Sequence, residues 1–127
     1  MLQTIEFDSD RKRMTVAVQD SEDEEFVYIY CKGADSSIYN ILGKNIEQPF
    51  KSVTTKHLHE FSCRGFRTLG FSVRAMARED FDVWNKHFND AKMMAAGDHK
   101  EKRIHDLTCS MEANMFLLGA SALEDQL

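Results

Sequence analysis

The sequence predicts an α+β fold, an antiparallel β-sheet flanked by helices. Three observations carry that expectation. Segments with strict alternation of apolar and polar residues follow one another at the start of the chain. What separates them is turn-rich or acidic sequence, not helix. The helical periodicities come later and in blocks, so strands and helices are segregated. At 127 residues the chain is long enough for one domain, 1–127, with a core of its own.

The elements follow in order. Ile5 and Phe7 alternate with Thr4, Glu6 and Asp8, a half-buried strand. Asp8-Ser9-Asp10 is rich in turn formers. Met14, Val16 and Val18 form a second alternating strand. Asp20 to Glu25 contains no apolar side chain and reads as a solvated hairpin loop. Phe26 to Cys31 is almost continuously β-branched or aromatic, the pattern of a central strand buried on both faces. These three strands make an antiparallel meander. Gly33 ends the third. Asp35 or Ser36 can cap a short helix carrying Ile38, Ile41 and Leu42, stopped by Gly43. A polar linker, 43–52, contains Pro49. Val53, Leu58 and Phe61 mark a helix ending near Arg64-Gly65. Leu69, Phe71 and Val73 share one face of a fourth strand, 68–76. Phe81, Trp84, Phe88, Ala91 and Ala95 lie on one stripe of an amphipathic helix, with Glu79 and Asp80 complementing the dipole at its start and Gly97 ending it. Ile104, Leu107 and Met111 mark a further helix. Met115 to Ala120 is a last strand, and Ser121 to Leu127 leaves in polar form.

A net charge of -5 argues against a broad nucleic-acid footprint. Basic charge is local instead, at Arg11-Lys12-Arg13. The three cysteines, Cys31, Cys63 and Cys109, are far apart and form no CxxC pair, which fits free thiols in a reducing compartment. No apolar run approaches the ~20 residues of a membrane span. The start runs straight into a strand pattern rather than a signal peptide, so a soluble, cytosolic domain is expected. His57, His59, His87, His99 and His105 have no partners at zinc spacing, and no metal site is expected. GxSxG, Walker-A and GxGxxG motifs are absent. Glu124-Asp125 reads as solvated surface.

Three basic clusters stand at predicted strand ends. Phe7 reads either as a strand-end core residue or as a ring over a pocket mouth, where it could stack a planar base for about 1–3 kcal/mol. Arg11-Lys12-Arg13 is either a solvated corner or a phosphate-attracting one. Lys32 either snorkels to water or fixes an ammonium above a ligand. Gly33 and Ala34 beside it are small enough for a ligand to approach the backbone. Arg67-Thr68, after Gly65, is a surface pair or a phosphate clamp.

These stretches carry a resemblance. Phe7-Asp8-Ser9-Asp10-Arg11-Lys12-Arg13-Met14 closely resembles the F-x-S-D-R-K-R-M motif in the nucleotide-binding domain of P-type ATPases. Tyr30-Cys31-Lys32-Gly33-Ala34-Asp35 resembles the K-G-A signature as it stands in the type IV, phospholipid-flippase branch. Gly65-Phe66-Arg67-Thr68-Leu69 is similar to G-L-R-T-L, and residues 119–127 to G-A-T-A-I-E-D-K-L. The order and spacing agree over essentially the whole chain. The resemblance implies a domain that binds ATP and delivers its γ-phosphate to an aspartate of another domain, with Mg²⁺ held mainly there. Carried over by motif, Phe7 stacks the adenine, and Lys12 lines the base and ribose with Ser9 beside it. Lys32 and Gly33 lie deep against the nucleotide, and Arg67 with Thr68 reaches toward the phosphates. The acidic loop is a variable hairpin on the far side.

The partners implied are the phosphorylation and actuator domains of one parent chain. A phospholipid and a possible accessory subunit would join through its membrane domain. The location implied is the cytoplasmic side of an integral membrane protein. Asp8, Phe66 and Gln126 depart mildly from the motifs. The D-K-T-G-T segment bearing the phosphorylated aspartate is not in this sequence, so no catalytic residue is expected here. The alternative reading is a non-catalytic, ATPase-like regulatory module fused to another enzyme.

Overall fold

The computed structural model describes residues 2–20 and 22–123. Ser21 of the acidic loop, and Glu124, Asp125 and Gln126 of the last motif, lie outside the described residues. The elements are β1 (Gln3–Asp8), β2 (Arg13–Val18), β3 (Phe26–Gly33), α1 (Asp35–Tyr39), α2 (Lys51–Cys63), β4 (Arg67–Ala77), α3 (Arg78–Lys92), α4 (Asp98–Met111) and β5 (Phe116–Leu123). The strands form one sheet in chain order, β1-β2-β3-β4-β5, every neighbour antiparallel. Helices α1 and α2 connect β3 to β4, and α3 and α4 connect β4 to β5. This is the expected α+β arrangement.

Register sorts the side chains onto two faces. One carries Ala17, Val27, Ile29, Cys31 and Leu117, which bury themselves against Ile38 of α1, Phe81 of α3 and Met111 of α4. A second cluster joins Ile5 to Phe88, Ala91 and Leu107. Trp84 stacks on Phe88 with ring centroids 4.8 Å apart and donates its indole N–H to the Leu107 carbonyl at 2.8 Å. Polar residues on this covered face are all engaged. Arg74 donates to the Ser110 and Met111 carbonyls at the end of α4, at 3.0 and 3.1 Å. These are carbonyls that a helix end leaves unpaired. At the β5 edge, Gln48 donates its side-chain amide to the Met115 carbonyl at 2.9 Å and accepts the Leu117 N–H at 2.8 Å, taking the place of a neighbouring strand.

The opposite face carries Met14, Val16, Tyr28, Tyr30, Lys32, Leu69, Phe71, Val73 and Leu118, and none of these is buried. One expectation is corrected by this, and another is made specific. β3 is central in order, but it is buried on one face only: Val27, Ile29 and Cys31 are inside, whereas Phe26, Tyr30 and Lys32 are exposed. In β4 the apolar set Leu69, Phe71 and Val73 looks away from the core, and Gly70, Ser72 and Arg74 look toward it. The reason is local. Ile38 lies against Gly70, where a Cβ would stand 3.2 Å from its own, so the inner side of β4 must be small or polar to seat α1.

Smaller corrections concern ends. Neither Asp35 nor Ser36 caps α1. Its N-cap is Ala34, and the Asp35 carboxylate accepts the N–H of Ser36. α3 ends at Lys92, leaving Ala95 outside it. The last strand runs on to Leu123 because Arg67, Thr68 and Leu69 of β4 continue to pair with it.

Candidate functional site

One row of the open face crosses four strands. Met14 pairs with Lys32, Lys32 with Phe71 and Phe71 with Gly119. Beside this row lies a half-open trough of about 240 Å³, lined by Met14, Val16, Tyr30, Lys32, Phe71 and Leu118. Its floor is apolar and Lys32 supplies its only charge among the lining residues. Below it, burial pushes the Cys31 thiol up to about 11, so that group stays neutral. Phe7 stands at the same end of the sheet, next to the Asp8–Arg13 pair and within the irregular register of β1. It is 63% exposed, unusual for a phenylalanine in a strand.

The corner between β1 and β2 is built by Asp8. Its carboxylate accepts the N–H groups of Asp10 (2.6 Å) and Arg11 (3.4 Å), and its carbonyl accepts that of Lys12 (2.6 Å). The two amides bonded to the carboxylate hold it below the usual range. Lys12 adopts φ 60°, a left-handed conformation costing a non-glycine residue about 1–2 kcal/mol. The corner rests on the end of β3: the Lys12 carbonyl accepts the Ala34 N–H at 3.0 Å. A Cβ on Gly33 would lie 2.3 Å from that carbonyl oxygen and 2.6 Å from the Cβ of Arg13. The backbone that comes close to Gly33 is therefore the chain's own.

The basic triplet divides in two. Arg11 grips Glu112 at two points, Nε to Oε1 at 3.0 Å and Nη2 to Oε2 at 2.8 Å. Arg13 adds Nε to Oε1 at 2.9 Å, and Thr15 donates its hydroxyl to Oε2. The Glu112 side chain is fully buried and the two arginines are partly so. Ser37 ties in α1, donating to the Arg11 carbonyl and accepting from Arg13. Burial raises the carboxyl's affinity for protons, but the hydrogen bonds from Arg11, Thr15 and Arg13 outweigh it and hold the group below its ordinary range. The expectation of a solvated or phosphate-attracting triplet is thus corrected for Arg11 and Arg13, which face inward. Lys12 is exposed, in a polar cleft of about 560 Å³ whose walls include Arg11 and Arg13 as well as Asp8, Asp10, Ser36, Asn40 and His105. Sequence reasoning passed over Glu112. The available signal was an acid at the carboxyl end of α4, where the dipole disfavours it and a compensating cation is required.

Lys32 and Lys12 therefore stand at one end of the sheet but line different cavities. Ser9 is exposed in the corner turn. Arg67 and Thr68 open β4 after Gly65, whose φ of 80° makes the turn out of α2. Arg67 has the parity of Phe71 and lies four residues, about 13 Å, along the same strand. Gly119 differs from Gly33: nothing lies within 4 Å of where its Cβ would be. Among the described residues no three His, Cys, Asp or Glu side chains come close enough to hold a metal ion. Nor is any described helix long and apolar enough to cross a membrane.

The family model for the P-type ATPase cytoplasmic domain N matches residues 1–127. The chain is 40% identical over its whole length to Probable phospholipid-transporting ATPase 4 of Arabidopsis thaliana, covering 10% of that protein. It is 37% identical to Phospholipid-transporting ATPase tat-1 of Caenorhabditis elegans and 36% identical to Phospholipid-transporting ATPase dnf2 of Schizosaccharomyces pombe. In both cases the whole chain is covered, with 11% and 9% of the relative. The chain spans about a tenth of the length of these relatives. With its whole length matched and its antiparallel sheet and flanking helices in place, the chain belongs to the P-type ATPase cytoplasmic domain N family.

Proposed function

We propose that this chain holds ATP for a phospholipid-translocating P-type ATPase and presents the γ-phosphate to an aspartate on another domain of the parent protein. The observation that carries the reading is Lys32 set over an apolar trough, at the sheet end where Phe7 stands exposed. A planar base fits an apolar floor with an aromatic ring at hand, and stacking on such a ring contributes about 1–3 kcal/mol. Lys32 and Lys12 supply ammonium groups, Ser9 and Gly33 border them, and Arg67 with Thr68 lies along β4 in the direction the phosphates would extend.

The chain's part is positioning. In-line phosphoryl transfer needs little covalent help from the protein and much orientation and charge stabilisation. When bound, Mg²⁺ neutralises the phosphate oxygens, and the carboxylates of the phosphorylation domain would hold it. In this proposal the phosphorylation and actuator domains, the phospholipid, any accessory subunit and the membrane span belong to the parent protein, and the chain faces the cytoplasm.

An amide-resolved NMR titration with ATP tests the reading. Shifts are expected around Phe7, Lys32 and Arg67, and Phe7→Ala should abolish them without loss of fold. Absence of shifts at millimolar ATP, or shifts confined to other parts of the sheet, would sink it.

A further inference from the structure

We infer that Glu112 is a positioning residue for the nucleotide corner: by gripping Arg11 and Arg13, the two neighbours of Lys12, it fixes Lys12 in its exposed position and occupies the guanidinium donors that border the same cleft. The inference rests on the ATP-binding reading above and deepens it.

The geometry is that of two arms and one anchor. Residues 11 and 13 both reach the same carboxylate, with contacts of 2.8 to 3.0 Å. Between those two arms stands Lys12, exposed and in a left-handed backbone that is uncommon for a residue other than glycine. The two bonds that the Asp8 carboxylate accepts in the corner turn are exposed to water. The clamp is shielded, and its carboxylate is fully satisfied by Arg11, Arg13 and Thr15. The rigid part of the corner is therefore Glu112 with its arginines.

The clamp also sets which charges a ligand meets. Three adjacent cations would attract any polyphosphate. Glu112 cancels one of the two guanidinium charges and engages both groups, which leaves the Lys12 ammonium as the corner's exposed cation and discrimination to the base over the trough. Loss of the clamp should therefore harm ATP and spare a bare polyphosphate.

The experiment compares ATP with inorganic tripolyphosphate on the unaltered chain and on Glu112→Gln, with Phe7→Ala as a control. In Glu112→Gln, ATP affinity should fall by about tenfold, the size of one lost charge-assisted hydrogen bond. Tripolyphosphate affinity should hold or rise, and the Cα and Cβ shifts of Lys12 should lose their left-handed signature. Equal weakening of both probes, or unchanged ATP affinity with Lys12 still left-handed, overturns the inference. If Glu112→Gln does not fold, Arg11→Lys keeps the charge and loses the two-point grip. It should show the same selective loss of ATP, and undiminished ATP affinity there overturns the inference equally. If Phe7→Ala binds ATP as well as the unaltered chain does, the ATP-binding reading itself fails, and the Lys12 shifts still report whether the clamp sets the corner.

Discussion

The two faces of the sheet are made of similar amounts of apolar material and have opposite fates. The covered face buries Val27, Ile29, Cys31 and Leu117 and tolerates Thr15, Ser72 and Arg74 among them because each has a partner. The open face holds Tyr28, Tyr30, Phe71 and Val73, residues of high strand propensity, and buries none. Hydrophobicity alone therefore does not decide which side becomes the core. Gly70 seats Ile38 of α1 on the covered side, whereas the open side keeps an empty trough beside Tyr30, Phe71 and Leu118. An apolar face without a packed core is the kind of surface that binds a partner or a ligand.

The comparison is broken most forcefully by truncation on the covered face. Phe81→Ala should cost about 3–5 kcal/mol in urea unfolding, since Phe81 is almost wholly buried. Phe71→Ala, on the open face, should cost well under half of that. Equal costs would mean that the faces do not differ.

Next in size comes Gly33→Ala. Its methyl would meet the backbone of the corner, and overpacking of this kind costs about 1–3 kcal/mol. Gly119→Ala is the matched control. With open space at its Cβ, it should be neutral or stabilising by up to about 1 kcal/mol, read from the same urea midpoints.

The acid response sharpens the contrast further. The Glu112 carboxyl is held below its ordinary value of 4.5, so its stabilising contribution is complete above that pH and is lost as pH falls through the lower folded value. Urea midpoints between neutral pH and pH 3 should decline, and the part of the decline below 4.5 should shrink in Glu112→Gln. A decline of the same steepness in both proteins would show that other carboxylates carry the acid response.

Much of this was legible in the sequence. Alternation located β1, β2 and β4, the Phe81 stripe located α3, and the motif residues Phe7, Lys32 and Arg67 fell at strand ends as expected. The side of the sheet that becomes core was not legible, because β4 carries its apolar residues on the outer face and period 2 reports only that two faces exist. Nor was the pairing of Arg11 and Arg13 with Glu112, which are 101 and 99 residues away. No local pattern reaches across that distance. Gly33 was read as room for a ligand, and the structure fills that room with the Lys12 carbonyl.

That separation also has a meaning in time. During synthesis, β1 to β4 are made before residue 112 exists. Until then the two arginines have no counter-charge to bury against, and the corner is held by its own turn and its bonds to Ala34 and Ser37. Contacts between the ends of a chain close late because of the entropy of the long loop. The clamp is therefore expected to form after the folding transition state, so that breaking it quickens unfolding and leaves the folding rate nearly untouched. The corner would be the last part of the sheet to set and the first to let go.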